Sequence, residues 1–367
     1  MKTTKLYIKG LLSFCLTLSL SLVIGSCTRD AVGDNDLDEV TVTFSLDLPS
    51  ATRALDAAGE NTVKTIDILV FKNNRLQYTA VGSNITSWNT AAQSKNFTVR
   101  LIQDASVDLI VLVNARPIVS SSLGITVDAI KSDIESALLH TSEGLYDVNA
   151  SGFSHLPMWG SVSGVTIDGS TTSLPAIPVI RMHAKVDVDA SIVAANFKLR
   201  SVHVYNYQTR GRLVPDVSST NWDGVAHKAL LPTVPPTSAR WGNPAFAGAA
   251  GNTLIYTDIT SSNTCFRDIY LHESNNLGAS ITSDVRTCLV IGGLYGSDTD
   301  ESYYRVDFID SNGDFLNLLR NHTYVIDITS VTNPGYTDPD DAFRSDPVNM
   351  HVTVIDWANE NLSHELQ

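Results

Sequence analysis

The clearest pattern in the chain is an alternation near its beginning. Val40, Val42, Phe44, Leu46 and Leu48 interleave with Thr41, Thr43, Ser45 and Asp47. A period of two puts the apolar side chains on one face of a β-strand. Pro49 closes the run, and Ser50-Ala51-Thr52 leads on to Arg53. Apolar runs bounded by turn residues predict further strands over 63–71 and 75–81, joined across Asn73-Asn74, then over 97–102 and 107–114. The period then changes. Ile130, Ile134 and Leu138 recur every four residues, Thr126 is a good N-cap and Asp128 falls in the first turn. This predicts one short amphipathic helix over 127–139, packed on a sheet. Residues 150–180 read as turns and short strands. Alternating polarity resumes over 181–191, and further strands are expected over 200–207, 252–256, 267–272, 287–295, 303–309, 322–330 and 348–357, around a Pro/Gly/Ala-rich loop system at 208–250. The fold class is therefore mostly β, and strands at this spacing suggest β-sandwiches.

A chain of 367 residues with 43% hydrophobic content is long enough for two cores. The expected division is 54–178 for an N-terminal sandwich and 179–367 for a C-terminal one. Only 17% of residues are charged, and the formal charge of −14 argues against nucleic acid as a partner.

The N-terminus changes the picture. Lys2, Lys5 and Lys9 precede an apolar stretch over 11–24 that is short for a membrane span. It ends in Ile24-Gly25-Ser26-Cys27, which resembles a bacterial lipobox. The expectation is a lipoprotein signal peptide over 1–26, with Cys27 as the lipidated first residue; an ordinary signal peptide with a chance Cys is the alternative. Several acyl chains, palmitate among them, anchor firmly because buried CH₂ groups add at about 0.8 kcal/mol each. Residues 28–39 are acidic, without apolar period, and read as a tether. Of the four cysteines, Cys265 and Cys288 then remain. They flank an expected hairpin in an exported chain, where a disulfide is permitted; two packed thiols are the alternative.

Signals for catalysis are poor. P-loop and dinucleotide glycine patterns are missing, and Gly160-Ser161-Val162-Ser163-Gly164 has Val where a nucleophile elbow needs Ser. The nine histidines show no HxH or HxxxH spacing, so neither a metal nor another cofactor is expected. Asp298-Thr299-Asp300-Glu301 and Asp310-Ser311-Asn312-Gly313-Asp314 carry oxygen ligands without the full calcium-loop pattern, and read as turns. Thr337-Asp338-Pro339-Asp340-Asp341 reads as a solvated loop. The chain is not expected to be an enzyme.

Several short motifs, taken in order, resemble the Bacteroidales fimbrillins, the subunits of type V pili. They are the lipobox at Cys27; the first strand ending in Pro49-Ser50-Ala51-Thr52-Arg53-Ala54; Val70-Phe71; Leu156-Pro157-Met158-Trp159-Gly160; Arg181-Met182-His183-Ala184-Lys185-Val186; Arg320-Asn321-His322-Thr323-Tyr324; and the closing VTVIDW at 352–357. The resemblance spans nearly the whole chain. It implies two transthyretin-like β-sandwich domains and export as an outer-membrane lipoprotein precursor. It further implies cutting between Arg53 and Ala54 by an Arg-specific protease, and loss of the first strand carried by Val40, Val42, Phe44, Leu46 and Leu48. A strand from a neighbouring subunit, drawn from residues 358–367, would fill the groove. Residues 358–367 hold few apolar side chains, so either the donor includes residues near Trp357 or this is a minor or tip subunit that receives a strand without passing one on. The function implied is a pilin of surface fimbriae, with other fimbrial subunits as partners. A tip or accessory adhesin for a host protein or glycan, or a glycan-binding surface lipoprotein, is the alternative.

Overall fold

The fold is taken from a computed structural model. It describes residues 38–47, 60–87, 94–122, 124–142, 144–145, 155–242, 253–257, 259, 263–278, 280–347 and 352–356. Cys27, Leu48, Arg53, Ala54 and residues 358–367 lie outside the described residues, as does the whole of the separate unit Met1–Leu37.

The first half carries β1 (Glu39–Asp47), β2 (Ile66–Lys72), β3 (Arg75–Val81), β4 (Ser94–Ile102), β5 (Asp104–Val113), α1 (Arg116–Ser121), α2 (Lys131–Ala137), β6 (Leu139–Thr141), β7 (Met158–Ile167), β8 (Ile177–Pro178) and β9 (Ile180–Arg181). A three-stranded sheet, β4-β1-β8, faces a five-stranded sheet, β3-β2-β5-β7-β9. Between them lies a core that includes Val42, Phe44, Leu46, Ile66, Ile68, Val70, Phe97, Val99, Leu109 and Val111. The β2–β3 turn is the expected one. Asn73 and Asn74 both take positive φ, 51° and 61°, as a two-residue hairpin matched to strand twist requires.

The second half carries β10 (Ala184–Asp189), β11 (Phe197–Tyr205), β12 (Tyr207–Gln208), β13 (Arg210–Arg212), β14 (Trp222–Asp223), β15 (Lys228–Ala229), β16 (Arg240–Trp241), β17 (Leu254–Tyr256), β18 (Thr264–Leu271), β19 (Cys288–Tyr295), β20 (Glu301–Asp307), β21 (His322–Asp327), α3 (Pro339–Arg344) and β22 (Val352–Asp356). Sheets β18-β10-β21-β22 and β17-β11-β19-β20 enclose a second core around Val186, Val188, Phe197, Val204, Ile269, Leu289, Phe308 and Ile326.

The protein is mostly β, as expected, but its helices differ from the expectation. The predicted helix is shorter, Lys131–Ala137, with Ile130 as N-cap. Asp128 stands before it at φ 70°, and its residues Asp128 and Ala129 serve Leu76 as an added edge partner. Two more helices occur. Pro117 is tolerated as the second residue of α1 because its missing N–H costs nothing in the first turn. Asp338 caps α3 by accepting from the Asp340 and Asp341 N–H groups, so the stretch read as a solvated loop is a capped helix packing Phe343 on Tyr205. The stretch read as turns and short strands at 150–180 contains a longer strand, the ten-residue β7. The stretch 208–250 contains short strand pairs, and Leu213, Val214, Trp222 and Ala229 pack over the outer face of the five-stranded sheet, against Leu69, Phe71 and Trp159. Trp159 and Trp222 meet edge to face at 5.7 Å. Residues of both halves thus share a third core, and the described chain from Asp38 onward is one compact unit.

The expected hairpin between Cys265 and Cys288 is also corrected. β18 pairs with β10, while β19 pairs with β11 and β20 in the opposite sheet. Both thiols are free and buried. Cys265 packs in the second core and Cys288 beside Tyr205 and Phe343.

Candidate functional site: the first strand and the junction behind it

β1 sits in the middle of its sheet, which the alternation alone could not reveal. Along one edge it pairs antiparallel with β4 over its full length, with Val42 opposite Val99, Phe44 opposite Phe97 and Leu46 opposite Lys95. Along the other edge it is held by fewer bonds. The Thr43 N–H donates to the Thr172 carbonyl at 2.9 Å, the Leu174 N–H to Thr43 at 3.2 Å and the Val179 N–H to Asp47 at 3.0 Å. Val42, Phe44 and Leu46 are fully buried, Val40 is half-buried, and Thr41 and Thr43 face solvent. The side chains therefore plug a groove between β4 and the 172–178 segment, with the five-stranded sheet as its floor.

Just beyond the expected cut site, the chain is anchored. Glu60 is fully buried; the Lys185 Nζ reaches its carboxylate at 3.1 Å and the Tyr270 hydroxyl donates to it. Burial and the neighbouring carboxylate push the Tyr270 hydroxyl well above its usual range, so it stays a donor. Asn61 accepts from Arg181. Lys185 and Tyr270 are opposite each other on β10 and β18. The segment after the groove is thus fastened through Glu60 to β10 and β18 of the second half and through Asn61 to Arg181 of β9.

Three of the family-like motifs meet at this junction. Met158 and Trp159 pair with Arg181 and Ile180, and the Met182 N–H donates to Pro157 at 3.0 Å. Gly160 allows the contact: a Cβ there would lie 2.5 Å from the Pro178 carbonyl oxygen. Lys185 and Val186 run parallel to Thr323 and Tyr324, while the Asn321 N–H donates to His183 at 2.9 Å. Arg320 is buried and forked. It donates to Glu273 at 2.9 and 2.6 Å, to the Leu213 carbonyl at 2.9 Å and to the Arg212 carbonyl at 2.8 Å. A guanidinium suits this site because its donors diverge in a fixed plane. These motifs are therefore structural: they satisfy buried polar groups where the two halves join.

The acidic turns at 298–301 and 310–314 behave as turns; Asp310 accepts from the Asn312 and Asp314 N–H groups at 2.9 Å each. Sequence spacing missed one grouping altogether. His140, His183 and His272 come together in the junction, all buried. They stand far apart in the chain, and nothing in local spacing signals their meeting.

No family model matches the chain. In sequence, the chain is 27% identical over 184 residues to a major fimbrium tip subunit, FimE, of Porphyromonas gingivalis, covering 48% of this chain and 30% of that protein. The match thus spans under a third of the relative's length. In fold, it is similar to a Parabacteroides distasonis protein described as a cell adhesion protein, with a TM-score of 0.51, 15% identity, and 88% and 99% of the two chains covered. A fimbrilin (fimA) of Porphyromonas gingivalis aligns with a TM-score of 0.48 and 18% identity, over 85% of this chain and 95% of that one.

Proposed function

We propose, on the premise of a fimbrillin family that the related tip subunit and the sequence motifs support, that this chain is a subunit of surface fimbriae. In this reading it is exported as an outer-membrane lipoprotein through Cys27, in two domains over 54–178 and 179–367. An Arg-specific protease cuts between Arg53 and Ala54, and β1 leaves. The observation that carries the reading is the central, fully buried placement of Val42, Phe44 and Leu46. Three such side chains contribute about 1.5–3 kcal/mol each, about 5–9 kcal/mol as an upper figure. That is comparable with the stability of a whole domain, about 5–15 kcal/mol. Loss of β1 leaves an apolar groove between two unpaired edges, which strand addition from another chain refills. Donor and groove are different surfaces, so the contact is heterologous and propagates.

The anchoring of Glu60 supports the same sequence of events. A strand can be withdrawn without unravelling the molecule only if the chain beyond the cut is held independently, and Lys185 and Tyr270 provide that hold.

A tip or accessory subunit is the second reading. It is favoured by the tip role of the sequence relative and by the scarcity of apolar side chains over 358–367. A cleft of about 360 Å³ lined by Tyr303, Tyr304, Asn333, Tyr336 and Asp346 is a place where such a subunit, or a monomeric surface lipoprotein, would take a glycan. Purified precursor treated with an Arg-specific protease, then viewed by electron microscopy and by SDS-resistant laddering, tests the main reading. A clean cut after Arg53 that yields only monomers, alone and with partner subunits, overturns assembly by strand exchange. Arg53→Ala is expected to block assembly.

A further inference from the structure

The three junction histidines form an arrangement that the fimbrial reading does not use. His140 lies on β6, His183 just before β10 and His272 just after β18. Their exposures are 7%, 1% and 3%, and one ring nitrogen from each lies within 4.8 Å of the others. The rings of His183 and His272 stack at 5.1 Å, and His140 stands edge-on to both.

Hydrogen bonding sets the tautomers. The His272 Nδ1 faces the Gln208 carbonyl at 3.1 Å. A carbonyl only accepts, so Nδ1 carries the proton and Nε2 presents a lone pair. That lone pair points into the cluster, where the His140 Nδ1 approaches it at 2.9 Å. A backbone carbonyl on the far nitrogen is the arrangement that orients a metal-bound imidazole. Space for the ring is made by Gly211, opposite His140 on β13: a Cβ there would fall 2.6 Å from the His272 Cδ2. The charge of Arg320, which also bears on these rings, is countered by Glu273 at 2.6 Å.

We propose that His140, His183 and His272 form a buried site for a borderline divalent transition-metal ion of the Zn²⁺ class, bound by three imidazole nitrogens and one water. Neutral imidazole is a preferred ligand for such ions, and three of them with a small fourth ligand satisfy tetrahedral coordination at about 2.0–2.1 Å. The ion replaces the proton shared between His140 and His272. His140 gives up the proton at its ligating nitrogen and takes one up at the other, so three neutral rings bind M²⁺ with no net proton release. Burial supports this, since three rings almost fully withdrawn from water favour the neutral form that ligates a metal. The bound ion ties together three segments, two of them 132 residues apart, at the place where the halves join.

The test uses the tag-free chain over residues 28–367, which keeps β1 in its groove, stripped of metal and titrated with Zn²⁺ by calorimetry and with Co²⁺ by visible absorption. The expected result is one ion per chain, a Co²⁺ spectrum of low-coordinate nitrogen ligation and a raised melting temperature. His140→Ala and His272→Ala are each expected to lower Zn²⁺ affinity by more than about 100-fold, beyond the loss from removing an outer partner. His203→Ala, a buried histidine outside the cluster, is expected to leave affinity unchanged. Where a variant fails to fold, the unmutated chain decides: Zn²⁺ must shift the ring resonances of these three histidines in ¹⁵N-histidine spectra. Absence of binding, unchanged affinity in the cluster variants, or ring resonances that do not move would overturn the site. None of these readouts depends on fimbrial assembly.

Discussion

Phe44 and Phe97 stack ring on ring, with centroids 5.1 Å apart and planes 13° from parallel. They are direct cross-strand partners on β1 and β4, and both are buried. The pair is the centre of the contact between the strand proposed to leave and the edge it would expose. Offset stacking adds about 0.5–1.5 kcal/mol to the burial of the rings themselves.

Phe44→Ala is therefore expected to destabilise the uncut precursor by about 3–5 kcal/mol, the usual cost of truncating a core aromatic ring. Urea denaturation measures this. After cutting at Arg53 and removal of the first strand, mutant and wild-type chains should be identical in sequence and stability. A difference that persists would mean the strand never leaves.

The Glu60–Lys185 pair makes a separate prediction. Removing Glu60 leaves the buried Lys185 charge to the more distant Asp187, at 3.9 Å, so Glu60→Ala is expected to cost about 3 kcal/mol, the lower end of the range for a broken buried pair. The double replacement Glu60→Leu with Lys185→Met should recover most of that loss, because the desolvation of both charges disappears with their attraction. Chemical denaturation of the single and double variants reads the difference.

Deletion of residues 358–367 separates the two fimbrial readings. A terminal subunit lacking them should still enter fimbriae, whereas a stalk subunit should stop elongation. Immunogold labelling and fimbrial length provide the readout.

Stability should fall in mild acid. The folded-state pKa values of His183 and His272 lie below the unfolded value of 6.5, because burial disfavours the charged rings. The unfolded chain then binds more protons, so the contribution of these groups is complete above about pH 6.5 and declines as pH falls below it, that of His272 until about pH 3. Each proton of difference is worth about 1.4 kcal/mol per pH unit. Denaturation curves at pH 7 and pH 5 should show the loss, and the double variant His183→Gln with His272→Gln should flatten the slope.

Cys265 and Cys288 should titrate as two thiols after denaturation and as none in the native chain over residues 28–367. Burial pushes both thiols up, Cys288 to about 12, which suppresses the reactive thiolate. A disulfide would instead give no thiol in either state, so a thiol assay in denaturant distinguishes the two.

Local pattern determined much of the fold. Alternation located β1, because one buried face imposes a period of two on a half-covered strand, while apolar-rich runs bounded by turn residues located β3, β11 and β19 within a few residues. Asn73-Asn74 marked its own turn through backbone preference. The partners of these strands were another matter. Nothing in the local pattern places β18 and β19 in opposite sheets, or separates Cys265 from Cys288, because pairing depends on chain segments far away. Helix α2 began later than its periodicity implied, since residues 128–129 are taken as an edge partner by Leu76. The short strands at 207–241 were illegible because each has two or three residues and is held by tertiary contact rather than propensity.

The functional features divide in the same way. The amphipathic first strand and the Arg53 that follows it were set by sequence, since each is a property of consecutive residues. That β1 lies between two neighbours, that Glu60 finds Lys185 and Tyr270, and that His140, His183 and His272 share one buried space were decided only by the tertiary structure. Buried polar groups must find partners wherever the chain brings them, and that requirement operates through space, not along the sequence.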